Sequence, residues 1–131
     1  MKFLAFLARL VLGLAFVVFG LNGFLNFIKV PMPSGHAGEF LGAMVATKYF
    51  WAVKGLEVVG GALLLLGRVP LGLMLLGPVV VNIVLYHALM DRKGLPLGAV
   101  LGALSLFLLW RNKESFPALF PKSEPKKPAK K

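Results

Sequence analysis

Four apolar stretches separated by short polar or charged breaks dominate this chain, at residues 3–28, 49–67, 71–90 and 94–110. A chain of 131 residues allows one domain, and a water-soluble domain of that size cannot bury four such segments. Lipid is the solvent that suits them. Crossing a hydrocarbon core of about 30 Å takes roughly 20 residues of helix, so four spans and a tail use up the length. Composition agrees: 58% of residues are hydrophobic and 15% charged, against about 45–50% and about 25% in ordinary soluble domains. The mean hydropathy is +0.81. These features predict an all-α fold: a polytopic membrane four-helix bundle occupying residues 1–112, with a short interfacial helix between spans 1 and 2.

Several function classes drop out at once. The chain has no cysteine, which removes disulfides, thiol redox chemistry, thiolate zinc and cysteine-ligated iron–sulfur clusters. The net charge of +10 resembles a nucleic-acid signal, but the charge gathers beyond the last apolar segment, where anionic lipid is the nearer partner. No nucleic-acid partner is expected. The N-terminus imitates a signal peptide, with Lys2 before an apolar run, but the run is too long and no small-residue cleavage pattern follows it. It reads as an uncleaved first span.

Arg9 alone interrupts that span, and residues 10–28 are uncharged. The run Val30-Pro31-Met32-Pro33-Ser34-Gly35 ends it, because proline removes a donor and restricts its predecessor. In the segment 36–48, Phe40, Leu41, Met44 and Val45 recur at the spacing of one helical face. That pattern suits an amphipathic helix lying at the interface, with Ser34 or Gly35 placed to cap it; a bare loop is the alternative. The third span contains Gly77-Pro78, which predicts a kink. The fourth is short and calls for local thinning of the bilayer. Residues 113–131 form a basic tail, lysine- and proline-rich from Pro121 onward, and are expected to be disordered. Glycines offer flat surfaces for packing within the bundle: the Gly98/Gly102 pair on the fourth span, and further Gly60-Gly61 and Gly13.

Topology follows from lysine and arginine placement. With both termini cytoplasmic, that side holds Lys2, Arg9, Arg68, Arg111, Lys113, Lys122, Lys126, Lys127, Lys130 and Lys131. The other side holds Lys29, Lys48, Arg92 and Lys93. The positive-inside rule favours this orientation. Tyr49 and Trp51 then fall at the outer interface and Trp110 at the inner one.

Ionisable groups within a span are costly and point to a reason for their presence. Lys54 and Glu57, three apart on the second span, share a helix face and can pair. In the predicted topology, Asn22 and Asn26 on the first span, Asn82, Tyr86 and His87 on the third, and His36 in the loop all fall in the outer half. One reading is a buried hydrogen-bond network that fixes helix register. The other is a polar pocket open outward, with Glu57 as a proton-carrying carboxylate, Lys54 as its charge partner, and His87 or His36 bonding a ligand such as a quinone head group. Metal or haem fits poorly, since the two histidines lie on different elements without ligand spacing. No catalytic triad, phosphate-cradling glycine loop or nucleotide motif is present. The tail offers a surface for anionic lipid.

Beyond these readings, Ala8-Arg9-Leu10 with Gly13, Phe19-Gly20-Leu21-Asn22-Gly23-Phe24, Lys54-Gly55-Leu56-Glu57-Val58-Val59-Gly60-Gly61 and Leu64-Leu65-Leu66-Gly67-Arg68 resemble the DoxX family of small four-helix bacterial membrane proteins. The resemblance spans residues 8–110, and its most specific part is the Lys-x-x-Glu-x-x-Gly-Gly stretch. It implies a bacterial inner-membrane location and a place beside quinone-linked oxidoreductases, as a subunit or as an organiser of a membrane oxidoreductase complex. Related sequences often carry a lysine after the first glycine-rich motif, where this chain has Asn26. Three roles follow as expectations: an accessory or scaffold subunit that binds a membrane oxidoreductase partner and a quinone, a quinone-linked electron-transfer subunit, or a small-molecule or proton carrier. The first suits the absence of a catalytic set in the isolated chain.

Overall fold

The computed structural model describes residues 1–119 and is all-helical over them. Five α-helices follow one another: α1 (Lys2–Leu25), α2 (Gly35–Ala46), α3 (Tyr49–Leu65), α4 (Val69–Leu89) and α5 (Leu95–Arg111). Single 3-10 turns lie at Arg92–Gly94, Lys113–Ser115 and Pro117–Leu119. Two of those turns fall within the segment expected to be disordered; the rest of the tail lies outside the described residues. Three helices are long and apolar enough to cross a membrane: α1, α4, and α5 together with the turn before it.

Local chemistry sets the helix ends. α1 stops three residues earlier than expected, at Asn26, whose left-handed backbone (φ 52°) is one that asparagine tolerates. Its N–H bonds the Asn22 carbonyl at 2.8 Å. α3 closes in a Schellman arrangement: Arg68 N–H donates to the Leu63 carbonyl at 2.8 Å and Gly67 N–H to Leu64 at 3.1 Å. Gly67 supplies the positive φ of 84° that this motif requires. A proline opens each of the next two helices, Pro70 in α4 and Pro96 in α5, at positions where its missing N–H is harmless. α2 begins after Ser34, which occupies the cap position without a capping side-chain bond. The helix assignment of α4 runs through Gly77-Pro78 to Leu89. Pro78 has no N–H for the Met74 carbonyl, the bond that the α-helical pattern assigns there.

Four helices pack as successive antiparallel neighbours: α1 on α3, α3 on α4, α4 on α5, and α5 back on α1. The register is visible in the glycines. Gly13 meets Gly61 and Leu65, whereas Gly20 meets Lys54 and Val58. Gly60 receives Leu76, and Gly72 receives Leu64. Leu12, Phe16, Leu64, Leu76 and Leu108, drawn from all four helices, are fully buried at the centre. The outward faces stay apolar, with Phe3, Leu89 and Leu106 each at least two-thirds exposed. α2 packs on α3 and reaches α4 through Phe40 and Tyr86, whose ring centroids are 5.9 Å apart.

Of the glycine surfaces that the sequence offers, Gly13 and Gly61 make the tight helix contact and the Gly98/Gly102 pair does not. A Cβ at Gly98 would meet its nearest neighbour at 3.4 Å, and one at Gly102 at 3.5 Å, both ordinary contacts. A Cβ at Gly61 would lie 2.7 Å from the Gly13 carbonyl oxygen and 2.9 Å from the Val17 nitrogen. Those are backbone atoms and cannot step aside, so α1 and α3 touch main chain to main chain. Gly61→Ala is therefore expected to lower stability by about 1–3 kcal/mol through overpacking, while Gly102→Ala stays within about 0.5 kcal/mol. Thermal unfolding in detergent, monitored by circular dichroism, distinguishes the two; equal shifts would contradict the assigned packing.

Candidate functional site

A cavity of about 670 Å³ opens between α2, α3 and α4 at the end of the molecule that carries residues 26–48. The α2 wall is Phe40, Leu41, Ala43 and Met44. Thr47, Tyr49, Phe50, Val53, Lys54 and Glu57 come from the start of α3 and the residues before it, while Pro78, Val79, Asn82, Ile83 and Tyr86 come from α4. Most of this surface is aromatic or aliphatic, with a few polar groups, the usual make-up of a small-molecule site.

The polar feature of the wall is the pair on α3. Lys54 Nζ donates to Glu57 Oε2 at 3.1 Å and to Oε1 at 3.4 Å. Spacing by i, i+3 brings the two side chains onto one face. Glu57 is almost fully buried, at 5% side-chain exposure, whereas Lys54 keeps 20%. The lysine stem fits because α1 offers glycine beside it: a Cβ at Gly23 would lie 2.5 Å from Lys54 Cγ. Its ammonium stands 5.3 Å from the centroid of the Phe50 ring, one helical turn back, where the ring's negative face attracts it. No other residue lining the cavity carries a formal charge. Asn82 donates its side-chain amide to the Pro78 carbonyl at 2.8 Å, and Tyr86 contacts Phe40 in a tilted arrangement and His87 edge-on.

Of the eight residues singled out from the sequence, Lys54, Glu57, Asn82 and Tyr86 meet at this cavity. The other four serve elsewhere. Asn22 folds back on the chain that leaves α1, donating to the Ile28 carbonyl at 3.0 Å and accepting from the Ile28 N–H at 2.7 Å. Asn26 is the left-handed residue that ends the helix. His36 pairs with Glu39 at 3.0 Å on the open surface, the two side chains 91% and 76% exposed. His87 Nδ1 donates to the Asp91 carbonyl at 3.1 Å, and its ring covers Gly94, where a side chain would collide with it. Three of these four are thus helix-end devices. Among the described residues no group of three or more histidine, cysteine, aspartate or glutamate side chains comes together as a metal would need.

Sequence reasoning missed Thr47 and Phe50 as cavity walls. Phe50 had a signal, its i, i+4 relation to Lys54. Thr47 had none, since its hydroxyl simply donates to the Ala43 carbonyl at 2.7 Å. Comparison with protein-family models, curated proteins and solved structures finds no match.

The ion pair should behave as a unit. Lys54→Met leaves a buried carboxylate without its partner, at an expected cost of about 3 kcal/mol, and the double change Lys54→Met/Glu57→Met should recover most of it. A double-mutant cycle on thermal unfolding measures the coupling; additive losses would mean that the two groups do not depend on each other.

Proposed function

We propose that this chain is an integral membrane protein of the DoxX type, in which α1, α3, α4 and α5 form a four-span bundle and α2 lies along the outer interface. Its role is that of an accessory or scaffold subunit of a bacterial membrane oxidoreductase system, and it holds a quinone in the cavity between α2, α3 and α4. Exposed leucine and phenylalanine around the whole bundle support lipid as the surrounding medium. α3 has 17 residues, about 25 Å of helix, so it spans at the short end of the range with its partner helices around it. The antiparallel order puts Lys2, Arg68 and Arg111 at one end and Lys29, Lys48 and Arg92 at the other. The larger basic count at the first end supports cytoplasmic termini in an inner membrane.

The observation that carries the ligand reading is the cavity itself. It joins an apolar, aromatic lining to one ion pair and the amide and phenol of Asn82 and Tyr86. A quinone needs that combination: apolar walls for its tail and ring, and hydrogen-bond donors for its carbonyl oxygens. The scaffold role rests on the resemblance noted in the sequence.

Two measurements test this reading. Protein purified from native membranes in mild detergent should release a quinone on organic extraction, identified by mass spectrometry, and a membrane oxidoreductase should accompany it. Material that carries neither, and that does not bind added short-chain quinone, would remove the proposal. For topology, the cysteine-free sequence makes single introduced thiols unambiguous. An impermeant maleimide added to intact cells should label Ser34→Cys and spare Ser115→Cys; the reverse pattern would invert the orientation.

A further inference from the structure

The charge arrangement at the cavity narrows what can occupy it. Lys54 has three N–H donors; two are directed at the Glu57 oxygens, and among the described residues it has no other hydrogen-bond partner. The lysine side chain is also the more accessible member of the pair, 20% exposed against 5% for the glutamate. Both residues line the cavity, so a ligand there has a spare Lys54 donor within the wall, beside a glutamate that is almost fully buried. The formal charge of the lining is one positive and one negative, hence zero. The remaining surface is mostly apolar, so an anion brought here loses its hydration and gains no net positive field in return.

We propose that the Lys54–Glu57 pair makes this cavity selective for amphiphiles with an uncharged hydrogen-bond-accepting head group, and that Glu57 is the residue that turns anionic amphiphiles away. This rests on the reading of the cavity as a ligand site. Lysine alone at this depth would attract the fatty acids and acidic phospholipids that surround a membrane protein. The carboxylate cancels that attraction while leaving Lys54 a donor for a carbonyl oxygen. Specificity then comes from a repulsive element beside an attractive one. Glu57 is a specificity-determining residue, and its burial keeps it from competing with the ligand for the cavity.

The test uses the full chain in nanodiscs and two photoactivatable probes of equal chain length, a methyl ketone and a fatty acid, at about pH 8, where an ordinary carboxylic acid is ionised. Cross-linked cavity peptides are quantified by mass spectrometry. In the natural protein the ketone should label α2 and α4 peptides, and the fatty acid should label them at least about tenfold less, as expected for a charge with no net counter-charge in a desolvated site. Glu57→Gln, which frees the positive charge, should raise fatty-acid labelling by about tenfold. Lys54→Met/Glu57→Gln, with no charge left unpaired, should lose that gain. Equal labelling by both probes in the natural protein, or no response to Glu57→Gln, overturns the selectivity while leaving the cavity a ligand site. No specific labelling by either probe in any form overturns the ligand site as well.

Discussion

The main-chain contact between α1 and α3 is the constraint on which the rest depends. Gly13, Gly20 and Gly23 on one helix face Gly61, Val58 and Lys54 on the other, and the pair can close only because those α1 positions and Gly61 lack side chains. Without a hydrophobic driving force between helices in lipid, close van der Waals approach and polar contacts must hold helices together. The same contact lays α1 against the Lys54 stem, so the ion pair takes its orientation partly from a helix that contributes no charge to it. α4 then closes on an adjacent face of α3 through Gly60 and Gly72, and α2 completes the wall of the cavity between them.

Helix content was legible in the sequence because it depends on long apolar runs and on proline and glycine at their ends, and those signals are local. Pro33, Pro70, Pro96 and Gly67 lie at or near helix boundaries, whereas α1 ends at Asn26, five residues before Pro31. The amphipathic face of residues 36–48 was readable for the same reason, and Phe40, Leu41 and Met44 from it do line the cavity. Gly13 and the Gly60-Gly61 pair were readable as packing surfaces, and tight contacts do fall there. Gly20 was not, because its partner has meaning only once α1 and α3 are set in register, and Gly98 and Gly102, despite their familiar spacing, make only ordinary contacts.

The candidate site divides along the same line. Lys54 and Glu57 pair within one helix, so their relation was visible as a spacing. Asn22, Asn26 and His87 occupy similar depths along their helices but sit near helix ends, where an amide or imidazole satisfies backbone groups that the helix leaves open. Depth along a span does not distinguish a side chain that faces a cavity from one that ties off its own helix. Only the rotation of each helix decides that, and packing sets rotation.

Pro78 lies in the cavity wall, four residues after a carbonyl for which it provides no N–H, and Gly77 beside it has open space where a side chain would stand. α4 thus lacks one rung of its hydrogen-bond ladder at the level of the chamber it borders. A bend at that joint would alter the width of the chamber and leave the contacts of Gly13, Gly20 and Gly61 untouched.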